Sequence, residues 1–201
     1  MVELKEISFK SRGEDLGGTL YGEFDRLVIM CPPHPLYGGN RSDVRLVRVA
    51  EELSLRGISS LCIDYGPYGE GIEEVNDVIA AISSYKRGFS VGLFGYSFGS
   101  VVASNAAART SEIQGFVAMS ILRRVGKIDA TLDFDCPKLF IHGRRDESYS
   151  RFETLFTEVR ERKDKFVLDT DHFYLDSYPK IIDRASDRIG QFFNKTLIPF
   201  A

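Results

Sequence analysis

The chain reads Phe89-Ser90-Val91-Gly92-Leu93-Phe94-Gly95-Tyr96-Ser97-Phe98-Gly99-Ser100-Val101-Val102-Ala103 from residue 89 to residue 103. An apolar run typical of a buried parallel strand comes first, and a small-residue segment with good helix propensity comes last. Between them, Gly-Tyr-Ser-Phe-Gly predicts a sharp turn from strand to helix. A serine at the apex of such a turn holds a strained backbone and exposes its hydroxyl above the sheet. Ser97 is therefore a candidate nucleophile.

The turn also predicts a use for the residue after the serine. The amide of Phe98 stands at the start of the following helix, where negative charge is favoured, and it faces whatever binds Ser97. Phe98 is therefore a candidate oxyanion donor through its backbone N–H. The competing interpretation of the motif is a tight strand-to-helix turn that merely tolerates a serine.

Composition limits the class of protein. The 201 residues are 43% hydrophobic, which predicts one folded domain over residues 1–201. The 26 Lys+Arg and 29 Asp+Glu leave a net charge of −3, which argues against a nucleic-acid surface or a polybasic membrane anchor. The apolar runs are only strand-length, and the N-terminus does not resemble a signal peptide. We expect a soluble, cytoplasmic protein.

The cysteines predict neither a disulfide framework nor a metal site. Cys31, Cys62 and Cys136 are odd in number, and two of them lie in apolar, strand-like segments. No Cys-x-x-Cys or His-Glu-x-x-His spacing occurs. We expect buried free thiols, no structural metal and no cofactor.

Hydrophobic patterning predicts alternating strands and helices after an N-terminal antiparallel pair. Strands are expected at residues 2–10, 18–24, 27–31, 58–63, before Ser97, 115–119, 138–142 and 165–168. Helices are expected at residues 42–56 (capped by Ser42 or Asp43), 72–86, 100–109, 150–162 and 179–194.

This alternation predicts an α/β fold, a three-layer α/β/α sandwich. Its sheet should contain about seven to eight mostly parallel strands with an antiparallel N-terminal edge. The largest gap between predicted elements, residues 120–135, is too short for a lid domain. In such sheets ligands bind at the carboxyl ends of the strands, so the residues after each strand are the candidate site.

The loop after the third strand is rich in proline and glycine. It reads Pro32-Pro33-His34-Pro35-Leu36-Tyr37-Gly38-Gly39-Asn40. The prolines stiffen the chain where it leaves the strand, and the glycine pair lets backbone amides face a ligand. The loop could therefore supply a second oxyanion donor, for which the amide of Leu36 is best placed. Tyr37 is a candidate substrate contact. The alternative is an ordinary connecting loop.

A carboxylate and a histidine follow the last two strands. Asp146 lies four residues beyond a predicted strand end, on the rim expected for Ser97, and could orient an imidazole. His172 follows the next strand and is the only histidine downstream of Asp146. Asp169 and Asp171 are rival orienting carboxylates, although they could instead cap the loop.

The chain has three histidines, and each follows a predicted strand end. A general base for Ser97 must be one of them. His34 and His142 lie in positions typical of loop-shaping or hydrogen-bonding residues. By elimination and by chain order, His172 is the candidate base.

These residues resemble the α/β-hydrolase superfamily. The resemblance rests on the elbow around Ser97 followed by Asp146 and His172, in that order, and extends from residue 27 to the last helix. The loop Pro33-His34-Pro35-Leu36-Tyr37-Gly38-Gly39-Asn40 is similar to the oxyanion loop of small, cap-less prokaryotic hydrolases related to dienelactone hydrolases and short carboxylesterases. Dienelactone hydrolases proper carry a cysteine at the nucleophile position, where this chain has serine.

The resemblance implies a catalytic Ser97, His172 and Asp146, with the amides of Leu36 and Phe98 as oxyanion donors. It implies hydrolysis of a small carboxylic ester through an acyl-enzyme, with a small-molecule ester or thioester as partner and without nucleic acid, membrane or cofactor. A thioesterase or a small-substrate peptidase is the alternative on the same triad. A non-catalytic binding protein of the same fold is the alternative from another class.

Two further features stay open at this stage. Arg123 and Arg124 occupy the segment where other hydrolases insert a cap, so they could bind an anionic substrate or be a solvated surface pair. Cap-less hydrolases also form dimers, so a homodimer is an option that no single face of this sequence indicates.

Overall fold

The computed structural model describes residues 2–85, 88–160 and 162–198. Within these ranges the strands are Leu4–Ser11 (β1), Glu14–Tyr21 (β2), Arg26–Cys31 (β3), Ser59–Ile63 (β4), Ser90–Tyr96 (β5), Ile113–Met119 (β6), Arg124–Val125 (β7), Ile128–Asp129 (β8), Lys138–Gly143 (β9) and Lys163–Leu168 (β10). The helices are Val44–Leu55 (α1), Ile72–Tyr85 (α2), Phe98–Ala107 (α3), Tyr149–Glu158 (α4) and Lys180–Thr196 (α5). A 3₁₀ turn, Pro35–Tyr37, follows β3.

The main sheet has eight strands in the order β1-β2-β4-β3-β5-β6-β9-β10. The hairpin β1–β2 is antiparallel and joins β4 in antiparallel fashion, whereas the strand pairs from β4 to β10 are parallel. Helices α1 and α5 pack on one face of this sheet, and α2, α3 and α4 pack on the other. The predicted three-layer sandwich, with its antiparallel N-terminal edge, is confirmed.

Burial on both faces explains why the central strands are continuously apolar. In β3, Leu27 and Ile29 join the core beneath α2 and α3, whereas Val28 and Met30 join the core beneath α1 and α5. All of β4 and all of β5 are buried. Successive side chains of a strand point to opposite faces, so a strand covered on both sides has no polar face. The three cysteines are buried free thiols, as predicted.

Two predicted boundaries near the C-terminal edge were wrong. Helix α4 ends at Glu158, not at residue 162, because the ammonium of Lys163 binds the carbonyls of Phe156 and Val159 at 2.6 and 2.5 Å and caps the helix. Strand β10 begins at Lys163, two residues before the predicted start at 165. Its polar first half is tolerated because β10 is the edge of the sheet.

Strand β2 was also predicted wrongly, since it runs from Glu14 to Tyr21 and not over residues 18–24, whereas the remaining described boundaries lie within two residues of the predictions. Asp43 caps α1 by accepting a hydrogen bond from the amide of Arg45. Strand β2 begins at Glu14, inside the segment predicted as a turn, and so pairs with the full length of β1. The predicted end of α2 at Lys86 lies outside the described residues.

The segment between β6 and β9 carries a small hairpin instead of a lid domain. Strands β7 and β8 pair across a turn in which Gly126 has φ +51°, and the buried side chains of Val125 and Ile128 join the core. The sequence predicted no regular element here, because two-residue strands leave no periodic pattern.

Candidate active site

Ser97 stands at the turn between β5 and α3 with a strained backbone. Its φ and ψ are 54° and −118°, and its amide donates to the carbonyl of Met119 on the neighbouring strand over 2.9 Å. The two glycines of the motif are needed for close approach. A Cβ on Gly95 would lie 2.3 Å from the carbonyl oxygen of Gly99, and a Cβ on Gly99 would lie 2.2 Å from that of Cys31. The elbow therefore has the geometry that the motif predicts.

The three residues singled out for catalysis lie together at the carboxyl ends of β5, β9 and β10. The Ser97 Oγ lies 2.9 Å from Nε2 of His172, and Nδ1 of His172 lies 2.7 Å from Oδ2 of Asp146. An ionised carboxylate can only accept hydrogen bonds, so Nδ1 carries the proton and Nε2 is free to accept from the serine hydroxyl. That tautomer is the one a general base needs.

Asp146 is buried and surrounded by donors. Besides His172, its Oδ2 accepts from the hydroxyl of Ser120 at 3.2 Å, and its Oδ1 accepts from the amide and hydroxyl of Ser148 at 2.8 and 2.7 Å. Burial alone would raise the pKa of this carboxyl. The hydrogen bonds from His172 and Ser148 outweigh burial and hold the pKa well below its ordinary value, so Asp146 is an anion at neutral pH.

The rival carboxylates face other partners. Asp169 is mostly exposed and accepts from Nε of Arg145 at 3.2 Å. Asp171 accepts from the amides of Phe173 and Tyr174 at 2.8 and 3.2 Å, which makes it the cap of the histidine loop. In the described structure, Asp146 is the carboxylate against the His172 ring.

The other two histidines also have local partners. His34 accepts the amide of Leu36 on its Nδ1 and packs its ring against Phe98, with ring centroids 4.7 Å apart. His142 is fully buried, with Nε2 at 3.1 Å from the hydroxyl of Ser148. Burial lowers the pKa of His142 to about 4, despite the opposing charge of Asp146, so this imidazole is neutral at neutral pH.

The two predicted oxyanion donors differ in their surroundings. Phe98 is the first residue of α3, so its amide has no intrahelical acceptor. The amide of Leu36 donates to Nδ1 of His34 at 3.3 Å, and the Leu36 side chain is exposed. In the described chain the amide of His34 has no hydrogen-bond acceptor, which adds a candidate donor from the same loop that the sequence did not indicate.

A cavity of about 290 Å³ opens beside Ser97. Its walls are the loop around residues 33–39, the first turn of α1, and His172 with Phe173. The predicted substrate contact Tyr37 lines this cavity, and its ring packs at a tilt against that of His34 with centroids 4.7 Å apart. A larger cavity of about 640 Å³ lies beyond His172, but Ser97 does not line it.

Most other aromatic residues near the strand ends serve packing. Tyr65 and Tyr68 lie with their ring centroids 6.0 and 6.3 Å from that of Phe98, and Tyr149 packs beside His142. Phe173, which is exposed, lines the cavity of Ser97 together with Tyr37.

The arginine pair in the short segment lies apart from Ser97. Arg123 forms a surface ion pair with Glu158 at 2.8 Å, and Arg124 lies 4.0 Å from Asp129. Both line a cavity of about 300 Å³ to which neither Ser97 nor His172 contributes. The arrangement matches the solvated-pair interpretation better than the anion-binding one.

The sequence did not indicate two residues that lie beside Ser97, His172 and Asp146. Ser120 and Tyr174 have left-handed φ values of 47° and 58°, and their hydroxyls lie 3.1 Å apart. Ser120 directly follows β6, so the strand-end rule that identified Ser97 could have identified it. Tyr174 lies within a loop that has no periodic pattern.

No protein-family model and no curated protein matches this chain, so its similarity to known proteins is one of structure. An α/β serine hydrolase homologue from Coxiella burnetii superposes with a TM-score of 0.81 at 17% identity, covering 92% of this chain and 96% of that one. A serine hydrolase without a lid from Xanthomonas campestris gives 0.81 at 19%, covering 99% and 97%. A dienelactone hydrolase from Anabaena variabilis gives 0.80 at 19%, covering 98% and 99%.

At 17 to 19% sequence identity, the similarity to these solved structures shows the fold of the chain and nothing finer. The chain has the α/β-hydrolase fold without a lid, so the expected resemblance to the cap-less group is confirmed at that level. Within the described ranges, no helix is both long and apolar enough to cross a bilayer. Nor does any group of three or more His, Cys, Asp or Glu side chains in those ranges form a potential metal site.

Proposed function

We propose that the protein is a serine hydrolase that cleaves a small carboxylic ester through an acyl-enzyme. The observation that carries this proposal is the hydrogen-bonded series from Ser97 through His172 to Asp146, with distances of 2.9 and 2.7 Å. The series starts at a strained elbow and opens on a cavity. A serine is activated when a base lies within hydrogen-bond distance of its hydroxyl and a carboxylate, in turn, orients that base.

In the first half of the reaction, the Ser97 oxygen attacks the ester carbonyl while Nε2 of His172 takes the hydroxyl proton. The tetrahedral intermediate collapses, the bond to the alcohol oxygen breaks, and the imidazolium returns its proton to that leaving group. In the second half, His172 deprotonates a water that attacks the acyl carbon, the bond between that carbon and the Ser97 oxygen breaks, and the imidazolium returns its proton to the Ser97 oxygen. The products are a carboxylic acid, an alcohol and free enzyme.

Asp146 orients His172 in both halves of the reaction. Its anionic state and its 2.7 Å contact hold the Nδ1 proton and stabilise the imidazolium each time it forms. Because its remaining lone pairs accept from Ser120 and Ser148, the carboxylate cannot turn away from the ring.

The oxyanion is assigned to backbone amides of two segments. Phe98 supplies one donor from the start of α3. The second comes from the loop after β3, either from Leu36, once its amide leaves the ring of His34, or from the amide of His34, which has no acceptor among the described residues. Losing one oxyanion donor typically costs about 10²- to 10³-fold in turnover.

The cavity supports a substrate of modest size. At about 290 Å³, open, and flanked by Tyr37 and Phe173, it suits a short ester with an apolar or aromatic part. Thioesters undergo the same attack, so the thioesterase alternative uses the same residues and is separated by assay.

A fluorophosphonate probe tests the proposal, because it forms a stable adduct only with an activated serine. We expect mass spectrometry to locate the adduct on Ser97 in the folded protein, and Ser97→Ala and His172→Ala to abolish labelling. Ser84→Ala, on the exposed face of α2, is the matched control and should be labelled normally. Folded wild-type protein that remains unlabelled, or is labelled at another serine, would contradict the proposal.

A further inference from the structure

In the loop that carries His172, Asp171 accepts from the amides of Phe173 and Tyr174, a contact that stays within the loop. The loop runs from the end of β10 at Leu168 to the start of α5 at Lys180, and most of it is exposed. A general base must nevertheless stay within hydrogen-bond reach of Ser97, and a displacement of about 1 Å can cost about 10²-fold in rate. Contacts from other elements therefore have to hold this loop; Arg145 binds Asp169 and Asp176, and the hydroxyl of Ser120 lies 3.1 Å from that of buried Tyr174.

Side chains from two other elements bind consecutive carbonyls of the loop. The phenol of Tyr96 donates to the carbonyl of His172 over 2.9 Å. The Nη1 of Arg45 donates to the carbonyl of Phe173 over 3.3 Å. The two carbonyls flank Phe173, so groups from β5 and α1 hold the main chain that directly follows the Cα of His172.

Tyr96 links the histidine loop directly to the nucleophile elbow. Tyr96 immediately precedes Ser97 and is 2% exposed, and its ring centroid lies 5.7 Å from that of the His172 imidazole. Burial raises the pKa of its phenol, against the influence of Arg45, so the hydroxyl keeps the proton it donates. The phenol therefore fixes the base relative to the serine.

Arg45 is itself held in place. Its guanidinium lies 4.5 Å above the ring of Tyr96, a cation–π contact, and its Nε and Nη2 bind both carboxylate oxygens of Asp43, the cap of α1. The side chains of Arg45 and Asp43 are 14% and 8% exposed. Asp43 neutralises the charge of the guanidinium and fixes its orientation. The remaining donor, Nη1, therefore points to the carbonyl of Phe173.

We propose that Tyr96 and Arg45 are positioning residues that hold His172 between Ser97 and Asp146. The inference rests on the proposed function for its kinetic consequences, while the placement of the His172 ring can be measured without any substrate. Neither residue touches the reacting atoms: each acts through the backbone of the histidine loop.

The kinetic test uses Tyr96→Phe, which removes only the hydroxyl, and Arg45→Met, which keeps the length and removes the donors. With a neutral nitrophenyl ester we expect kcat to fall about 10- to 100-fold in each variant while KM stays within about twofold. Because the guanidinium lies on the Tyr96 ring, the double variant should lose less than the product of the two single losses. The matched control is Arg48→Met, on the same helix, whose partners are Glu51 and Asp183.

Arg45 also lines the cavity of Ser97, so a role in substrate binding is the competing explanation. An acidic nitrophenyl ester separates the two. Positioning predicts equal losses of kcat for neutral and acidic esters. A raised KM confined to the acidic ester, with kcat retained, would overturn the inference, as would unchanged kcat in both single variants.

A second readout does not depend on turnover. In wild-type protein with ¹⁵N-labelled histidine, we expect the Nδ1 proton of His172 to give a deshielded, exchange-protected NMR signal, because it bonds to buried Asp146. In Tyr96→Phe and Arg45→Met the signal should broaden or vanish, while Arg48→Met keeps it. A signal unchanged in both variants would overturn the positioning role even if no ester were hydrolysed, whereas absence of probe labelling at Ser97 in wild type would refute the proposed function alone.

Discussion

Asp146 and Asp169 both belong to loops beside His172, but only Asp146 is buried against its ring. The Asp146 side chain is 3% exposed, and that of Asp169 is 81% exposed. We expect Asp146→Asn to lower kcat about 10⁴-fold, because an amide that donates to Nδ1 forces the wrong tautomer on His172. Asp169→Asn is the matched control and should keep wild-type kcat. Steady-state ester hydrolysis by both variants checks this, and similar losses in the two would reject the assignment of Asp146.

His142 combines deep burial with an incomplete set of hydrogen bonds. Its ring stacks on Phe152 with centroids 4.3 Å apart and planes 1° apart, and its Nδ1 has no partner in the described chain. Burial lowers the pKa of His142 to about 4 from an ordinary value of 6.5. As the pH falls through this interval, the unfolded chain therefore takes up a proton that the folded protein does not.

Folding stability should therefore decline on acidification before the triad carboxylate titrates. Asp146 has a lowered pKa, so its contribution is present above its ordinary value near 3.8 and is lost only below it. Between about pH 6.5 and 4, His142 alone should remove about 3 kcal/mol from the free energy of unfolding. Urea titrations across this interval check the slope. His142→Phe should flatten it, and a variant as steep as wild type would show that another group is responsible.

At the scale of single elements, the elbow depends on a glycine that lies against the neighbouring strand. A Cβ on Gly99 would lie 2.2 and 2.3 Å from the carbonyl oxygens of Cys31 and Pro32, which belong to backbone and cannot swing away. We expect Gly99→Ala to lower the Tm by roughly 10 °C and to displace the loop that supplies the second oxyanion donor. Its kcat should fall accordingly.

Gly13 is the matched control for Gly99. It has φ +86° but nothing within 4 Å of an added Cβ, so Gly13→Ala carries backbone strain without a clash. That strain costs about 1 kcal/mol, which lowers the Tm by roughly 3 °C and leaves kcat unchanged. Differential scanning calorimetry with ester kinetics measures both quantities. Because Gly99 has no positive φ, a Tm loss in Gly99→Ala no larger than that in Gly13→Ala would mean that the backbone relieves the clash and would reject this role of Gly99.

The elements that the sequence predicted well are those whose pattern follows from burial. Strands β3 and β5 are buried on both faces, and their continuous apolar residues predict them directly. The end of α4 and the start of β10 were predicted poorly, because both depend on the binding of the Lys163 ammonium to the carbonyls of Phe156 and Val159, a side-chain contact that leaves no periodic pattern. The hairpin β7–β8 escaped because its strands are too short for any periodicity.

At the scale of the whole molecule, the topology explains why the sequence could place Ser97, Asp146 and His172, the residues of the proposed triad, close together. Parallel strands bring their carboxyl ends to one rim, so residues after β5, β9 and β10 had to lie near one another. No comparable rule predicts the side-chain contacts that hold the loop of His172. Arg45 reaches Phe173 across 128 positions of sequence, and no local pattern predicts that contact.

The opposite edge of the sheet is held by one buried carboxylate. Asp77 of α2 is fully buried, accepts from the hydroxyl of Ser11 at 2.6 Å, and binds Nε and Nη2 of Arg12 at 3.1 and 3.2 Å. It also accepts from the amide of Gly66, after β4, at 2.9 Å. A single side chain thus joins the N-terminal hairpin, a helix and a loop of the central sheet.

Removing this carboxylate should test whether the antiparallel edge stabilises the whole fold. We expect Asp77→Ala to lower the free energy of unfolding by about 3 kcal/mol, since Arg12 and two other donors lose a buried partner. Glu73→Gln removes the outer partner of Arg12, at 3.4 Å, and should cost under about 1 kcal/mol because that pair is partly solvated. Urea unfolding measures the free energy of unfolding of both variants.

The same variants should keep their activity. Because Ser97, Asp146 and His172 follow β5, β9 and β10, kcat below the unfolding transition should stay at the wild-type value. A fall in kcat would show that the hairpin edge and the catalytic rim are coupled, and equal losses of stability in the two variants would reject Asp77 as the anchor.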